Sequence, residues 1–203
     1  ATPSATAGCK PVQVTPRKGT VIRTREELEA YELNGYRLSI VVDPDPSSPR
    51  EGDDFGTMAC WHRRYTLGDE QPKETATEFL ANLPEGTITL PLYLYDHSGL
   101  AIRTSPFSCP WDSGQVGFIY ITPAKLKEEY EGYYPPSEWP DRARKVMEGE
   151  VETYNDFLSG SVYAYIIEDS SGNHIDSCWG FFGLDFCREE ALDIFTHEAK
   201  GKG

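Results

Sequence analysis

Long apolar runs are missing from this sequence. No window approaches the roughly 18 consecutive apolar residues that a membrane-spanning helix needs, and residues 1–25 lack the apolar central stretch of a secretory signal. No membrane partner is expected. Cysteine is sparse: Cys9, Cys60, Cys109, Cys178 and Cys187 form an odd set without dense spacing. A chain of 203 residues can bury enough core to need no disulfide framework, so this usage favours a reducing compartment, the cytoplasm. Also absent are a P-loop, a dinucleotide-binding glycine fingerprint, a nucleophile elbow and a His-Glu-x-x-His pair. No cofactor is expected, and no ready-made catalytic class presents itself.

Acids are missing from one region only. Residues 1–25 hold Lys10, Arg17, Lys18, Arg23 and Arg25 and no carboxylate. Residues 26–203 then carry the other 14 bases against all 33 acids, a net charge of −19 within a total of −14. Such a field repels nucleic acid and anionic membrane and attracts cations and basic proteins. Hydrophobic content of 38%, with 12% aromatic residues, is ample for a folded body. The expected organisation is a flexible basic tail over 1–22 and one acidic α+β domain over 23–200.

The pattern predicts a mostly antiparallel sheet built from hairpins, with helices packed on it. Thr24 as cap, two acids, then Leu28 and Tyr31 predict a short helix over 25–33 closed at Asn34-Gly35. Strands are expected over 36–42, 56–65 and 117–121, and hairpins over 88–104 and 162–182. Helical spacing predicts helices over 74–83, from Pro123, over 137–158 and over 188–199. The two hairpin turns share letters, Asp96-His97-Ser98-Gly99 and Asp169-Ser170-Ser171-Gly172, each later followed by a Ser-Cys pair and a Trp. Turn chemistry draws on few residue types, so coincidence competes with a true repeat.

The richest loop is 105–115, which mixes Cys109, Asp112, hydroxyls and Gln115 between two strands. A thiol there would be a nucleophile if His97 or His62 activated it, with Asp112 orienting the base. Lone thiols more often fill space as small hydrophobes. Trp111 and Gln115 in this loop, and Trp179 beside Cys178, are the accompanying binding candidates. Asp43, Asp45, Asp53 and Asp54 crowd a proline-rich loop that reads as a solvated acidic turn; the ligand order of a calcium hand is absent. Arg63 and Arg64 stand against the acidic background and are expected to pair with that loop. No metal site is expected, since Cys60, His62, His97, Cys109, His174 and Cys178 lack paired zinc-ligand spacing.

The runs 56–69 (GTMACWHRRYTLGD), 92–99 (LYLYDHSG) and 109–120 (CPWDSGQVGFIY), with Cys178-Trp179-Gly180-Phe181, resemble a family of small acidic, uncharacterised proteins from bacteriophages and bacterial mobile elements. The likeness covers about residues 36–195 and brings no activity with it. It implies an accessory protein made inside a bacterial host cell. Three functions are therefore expected in competition: binding of a basic host protein through the acidic surface, with an anti-defence or DNA-mimic role; a cysteine-dependent hydrolase using Cys109; and a virion or scaffold component.

Overall fold

The computed structural model describes Lys10–Pro11 and residues 27–200. Apart from Lys10–Pro11, the expected tail falls outside the described residues, as does the Thr24 cap. The chain is α+β, and both of its sheets are antiparallel throughout. It divides into two compact units, Ala1–Ser47 with Gly160–Gly203, and Ser48–Ser159.

The first unit holds a five-stranded sheet of order β1-β2-β3-β8-β9, formed by Lys10–Pro11, Glu27–Leu33, Tyr36–Val42, Val162–Glu168 and His174–Phe182. The expected helix over 25–33 is corrected here: Glu27–Leu33 is β2. Asn34 (φ 51°) and Gly35 (φ 83°) both adopt left-handed backbone, the requirement of a tight two-residue hairpin turn, and Leu33 pairs with Tyr36. Cross-strand chemistry fixes the register. Arg37 bridges Glu27 at 2.9 Å and Glu32 at 3.2 Å, and the Ser39 hydroxyl donates to Glu27 at 2.9 Å. Helix α4, Leu184–Lys200, packs on β3, β8 and β9 and begins four residues before the expected start. Leu38, Tyr165, Ile167, Ala191 and Phe195 form this unit's core.

In the second unit a four-stranded sheet runs β4-β7-β5-β6, from Thr57–Cys60, Ser113–Ile121, Ile88–Asp96 and Leu100–Arg103. The strand expected over 56–65 is only four residues long, ending at Cys60 before the chain bends at Arg63–Arg64; on its other side Ala59 bridges to Glu70. Close approach at β4 and β7 requires Gly117, where a Cβ would lie 2.1 Å from the Ala59 carbonyl oxygen. Helix α1, Ala76–Asn82, opens with a capping box: Glu78 N–H donates to the Thr75 hydroxyl and Thr75 N–H to the Glu78 carboxylate. Thr122 and Pro123 start α2, Pro123–Tyr130, as expected.

Helix α3, Trp139–Ser159, packs on β5 and β6 and buries Ala143, Met147, Val151 and Tyr154. Ser137 lies in a 3-10 turn before this helix, and Val146, placed in the apolar stripe by spacing, is exposed. A buried guanidinium also organises this unit. Arg50, with a side chain 4% exposed, bridges Asp69 at 2.5 Å, Asp54 at 3.4 Å and Glu150 at 3.5 Å. It also donates to the Gly56 carbonyl.

Candidate functional site

Three chain segments meet at one end of the second unit's sheet: the residues after β4, the β5–β6 turn, and the loop entering β7. Antiparallel pairing places them there, since Tyr95 lies opposite Ser113 and Cys60 opposite Gly117. The backbone N–H of Asp96 donates to the Asp112 carbonyl at 2.8 Å, locking the turn to the loop. Arg64 forms an ion pair with Asp96, and the Tyr65 hydroxyl donates to the same carboxylate at 3.3 Å. His62 stacks on Tyr65 with ring centres 5.0 Å apart. Sequence reasoning thus named residues that do converge: Cys109, Asp112, His97, His62, Arg63, Arg64 and Trp111 all belong to this end.

The internal geometry differs from that of an activated nucleophile. The Cys109 thiol donates to Asp112 Oδ2 at 3.5 Å, and His97 Nδ1 lies 3.4 Å from the same oxygen. The carboxylate therefore partners the thiol and the imidazole alike. Nucleophilic catalysis wants thiol beside base, with the acid behind it. His62 is engaged elsewhere, its Nδ1 accepting from Tyr65 N–H at 3.2 Å and Arg64 N–H at 3.4 Å. That fixes the acceptor character of Nδ1 and spends it on the turn.

Around this line sit cations and exposed rings. Arg103 donates to the carbonyls of Ser105 and Pro106, and its guanidinium lies 3.8 Å above the Phe107 ring, which packs on Tyr95. Trp111 is 92% exposed. Gln115 instead lines a shallow depression of about 210 Å³ with Trp61, Ala76, Val116, Gly117 and Phe118.

The remaining candidates are dispersed. Asp43 and Asp45 belong to the first unit, Asp53 and Asp54 to the second. Asp43 accepts from Asp45 N–H and Gly180 N–H, both at 3.1 Å, a turn-forming role. The expected pairing of Arg63 and Arg64 with this loop is corrected: Arg64 pairs with Asp96, and Arg63 is exposed without an ion pair among the described residues. The loop's cations are Arg50 on Asp54 and Lys125 on Asp53. Trp179 on β9 and the neighbouring Cys178 are both exposed. Cys60 and Cys187 are buried, and desolvation pushes their thiols up to about 12 and about 11. Among the described residues, no three His, Cys, Asp or Glu side chains are grouped so as to hold a metal ion.

The two turns with shared letters also diverge. In the first, Ser98 carries the positive φ; in the second, Gly172 does, and the Asp169 carboxylate caps Ser171 and Asn173.

Sequence reasoning missed α4's outward face. Of the 13 acids in residues 27–47 and 160–200, only Glu27, Glu29, Glu32 and Asp185 form ion pairs; the bases there are Arg37, Arg188 and Lys200. The other nine carboxylates are in no ion pair among the described residues. Asp185, Glu189, Glu190 and Asp193 are exposed along α4 around Phe186, which is 55% exposed and packs edge-on against Phe181. The signal was present as i, i+3, i+4 spacing of these acids, but Phe186 lay outside the expected helix. No protein family, curated protein or solved structure matches the chain.

Proposed function

We propose that the protein is a non-enzymatic binding protein whose acidic surface, centred on the outward face of α4, engages a basic protein. The observation that carries this reading is that Glu189, Glu190 and Asp193 have no ion-pair partner among the described residues and surround an exposed phenylalanine. Carboxylates without cationic partners keep their field for a partner, and an exposed aromatic inside a charged rim is the composition of an interface anchor. The resemblance to phage and mobile-element proteins supports a bacterial host as the setting, and an anti-defence role by mimicry of nucleic-acid charge fits the same chemistry. No helix among the described residues is long and apolar enough to cross a membrane.

A hydrolase built on Cys109 has less support, because the thiol's hydrogen bond goes to Asp112. The test is capture from a bacterial lysate at low salt, comparing the wild-type chain with Glu189→Lys/Glu190→Lys/Asp193→Lys. A basic protein retained by the wild type, released as salt rises and not retained by the variant is the expected result. Equal retention by both proteins, or none by either, removes the reading.

A further inference from the structure

Among the described residues, the end of the second unit's sheet described above is locally cationic. Residues 61–66 and 95–113 hold Arg63, Arg64, Arg103, His62 and His97 against only Asp96 and Asp112. Arg63 and Arg103 are exposed and in no ion pair among the described residues. The loop between β6 and β7 carries Trp111, 92% exposed. Tryptophan and arginine are the residue types most enriched where binding energy concentrates in protein interfaces.

Two physical constraints narrow the occupant. The depression lined by Trp61 and Gln115, about 210 Å³, is smaller than the roughly 300–1,000 Å³ of small-molecule sites. A long polyanion such as nucleic acid would meet the remaining surface, whose net charge is strongly negative, so the body opposes it. What fits is a compact surface that is acidic only where it touches the arginines and has an apolar centre for the indole. The chain itself carries one: Asp185, Glu189, Glu190 and Asp193 around Phe186 on α4.

We infer that the protein self-associates head to tail, the Arg63–Arg103–Trp111 surface of one copy seating on the α4 acidic face of a second copy. The contact joins two different surfaces, one of each kind on every copy. The inference rests on the proposed reading of the α4 face, and it adds a regulation to it: a basic partner and a second copy compete for the same carboxylates.

Electrostatics gives this contact a signature of its own. Two chains of net charge −14 repel one another at long range, while the local contact attracts. Screening lengths are about 30 Å at 0.01 M salt, about 8 Å at 0.15 M and about 3 Å at 1 M. Repulsion dominates at the first, the local pairs survive at the second, and both are screened at the third. Self-association therefore peaks at intermediate salt, whereas capture of a basic partner weakens steadily as salt rises.

Sedimentation velocity of the full chain at those three salt concentrations, over a concentration series, tests the inference. The expected result is a mass above that of one chain at 0.15 M only. Arg63→Glu, Trp111→Ala and Glu189→Lys/Glu190→Lys should each return it to one chain. Mixing Arg63→Glu with Glu189→Lys/Glu190→Lys should restore assembly, since each reversed surface then meets a complement. All these positions are exposed, and the mixture itself reports that both variants are folded. A wild-type chain of single mass at all three salts overturns the inference, as does assembly that persists in the reversed variants or fails to return on mixing. Capture of a basic protein alongside a single-mass chain would sink this inference alone and leave the proposed function standing.

Discussion

At the scale of single residues, Arg50 shows most clearly what one buried charge does. Its guanidinium is shared among Asp54, Asp69 and Glu150, while Glu150 accepts from the N–H groups of Phe55 and Gly56 and Asp69 from that of Met58. Removing the cation leaves three carboxylates facing one another where water is scarce. Loss of one partner from a buried pair costs about 3–5 kcal/mol, so Arg50→Met should lower unfolding free energy by that amount in urea titration. A loss below about 1 kcal/mol would show that the carboxylates relax into solvent. No sequence signal exposed this role: a lone arginine in an acidic, proline-rich loop reads as solvated surface. The thiols were easier to read. Cys60 and Cys187 are buried and their thiolates disfavoured, and Cys178 is exposed. Iodoacetamide at neutral pH should modify Cys178 in the folded protein and reach Cys60 and Cys187 only on denaturation, as peptide mass spectrometry can resolve. Modification of Cys109 ahead of Cys178 would return weight to the hydrolase reading.

At the scale of elements, spacing served where burial follows a helix period and failed where a turn outweighed it. Helices α1, α2 and α3, both long hairpins and strand β3 were legible because their apolar residues repeat at 3.6 or 2 and the caps of α1 and α2 are standard. Glu27–Leu33 was not. Leu28 and Tyr31 satisfy an i, i+3 pattern, yet the same seven residues alternate, and Asn34-Gly35 at their end serves a hairpin as well as a helix stop. Pairing with β3 decides between them, through six register pairs and the Arg37–Glu27 bridge. The cationic surface was half legible: its residues other than Arg103 were named, but their convergence depends on β4, β5 and β7 ending at the same edge, which no local pattern states. Gly117 is the element-scale test. Because an added methyl would overlap the Ala59 carbonyl at 2.1 Å between paired strands, Gly117→Ala must push β4 off β7. The expected loss is about 1–3 kcal/mol or more by overpacking, read from the urea midpoint. Substitution at Gly114, whose Cβ would meet nothing within 4 Å, serves as the neutral control.

For the whole molecule, charge rather than core sets the response to pH. Burial raises Glu150 and Asp54 above the ordinary carboxylate range, and burial raises Asp156 likewise, with Glu152 adding to the effect. A group with a raised folded pKa binds its proton more readily folded than unfolded, so stability falls as pH rises through the interval between the two values. Glu29 works in the opposite sense. Its hydrogen bond to Arg188 holds it below the usual range, and its contribution is present above the unfolded value and lost as pH falls through the folded one. The net charge of −14 adds self-repulsion that shrinks as carboxylates begin to protonate. Together these place the stability maximum on the acidic side of neutrality, with a decline once Glu29 and its like are protonated. Urea midpoints between pH 4 and 8 should therefore rise as pH falls from 7 before they drop. In Glu150→Gln the rise should be smaller whatever the variant's absolute stability, because the raised group no longer titrates. A steady fall from pH 7 to 5 in the wild-type protein would mean that paired carboxylates such as Glu29 outweigh the buried ones, and that the acidic surface is less strained than its charge count implies.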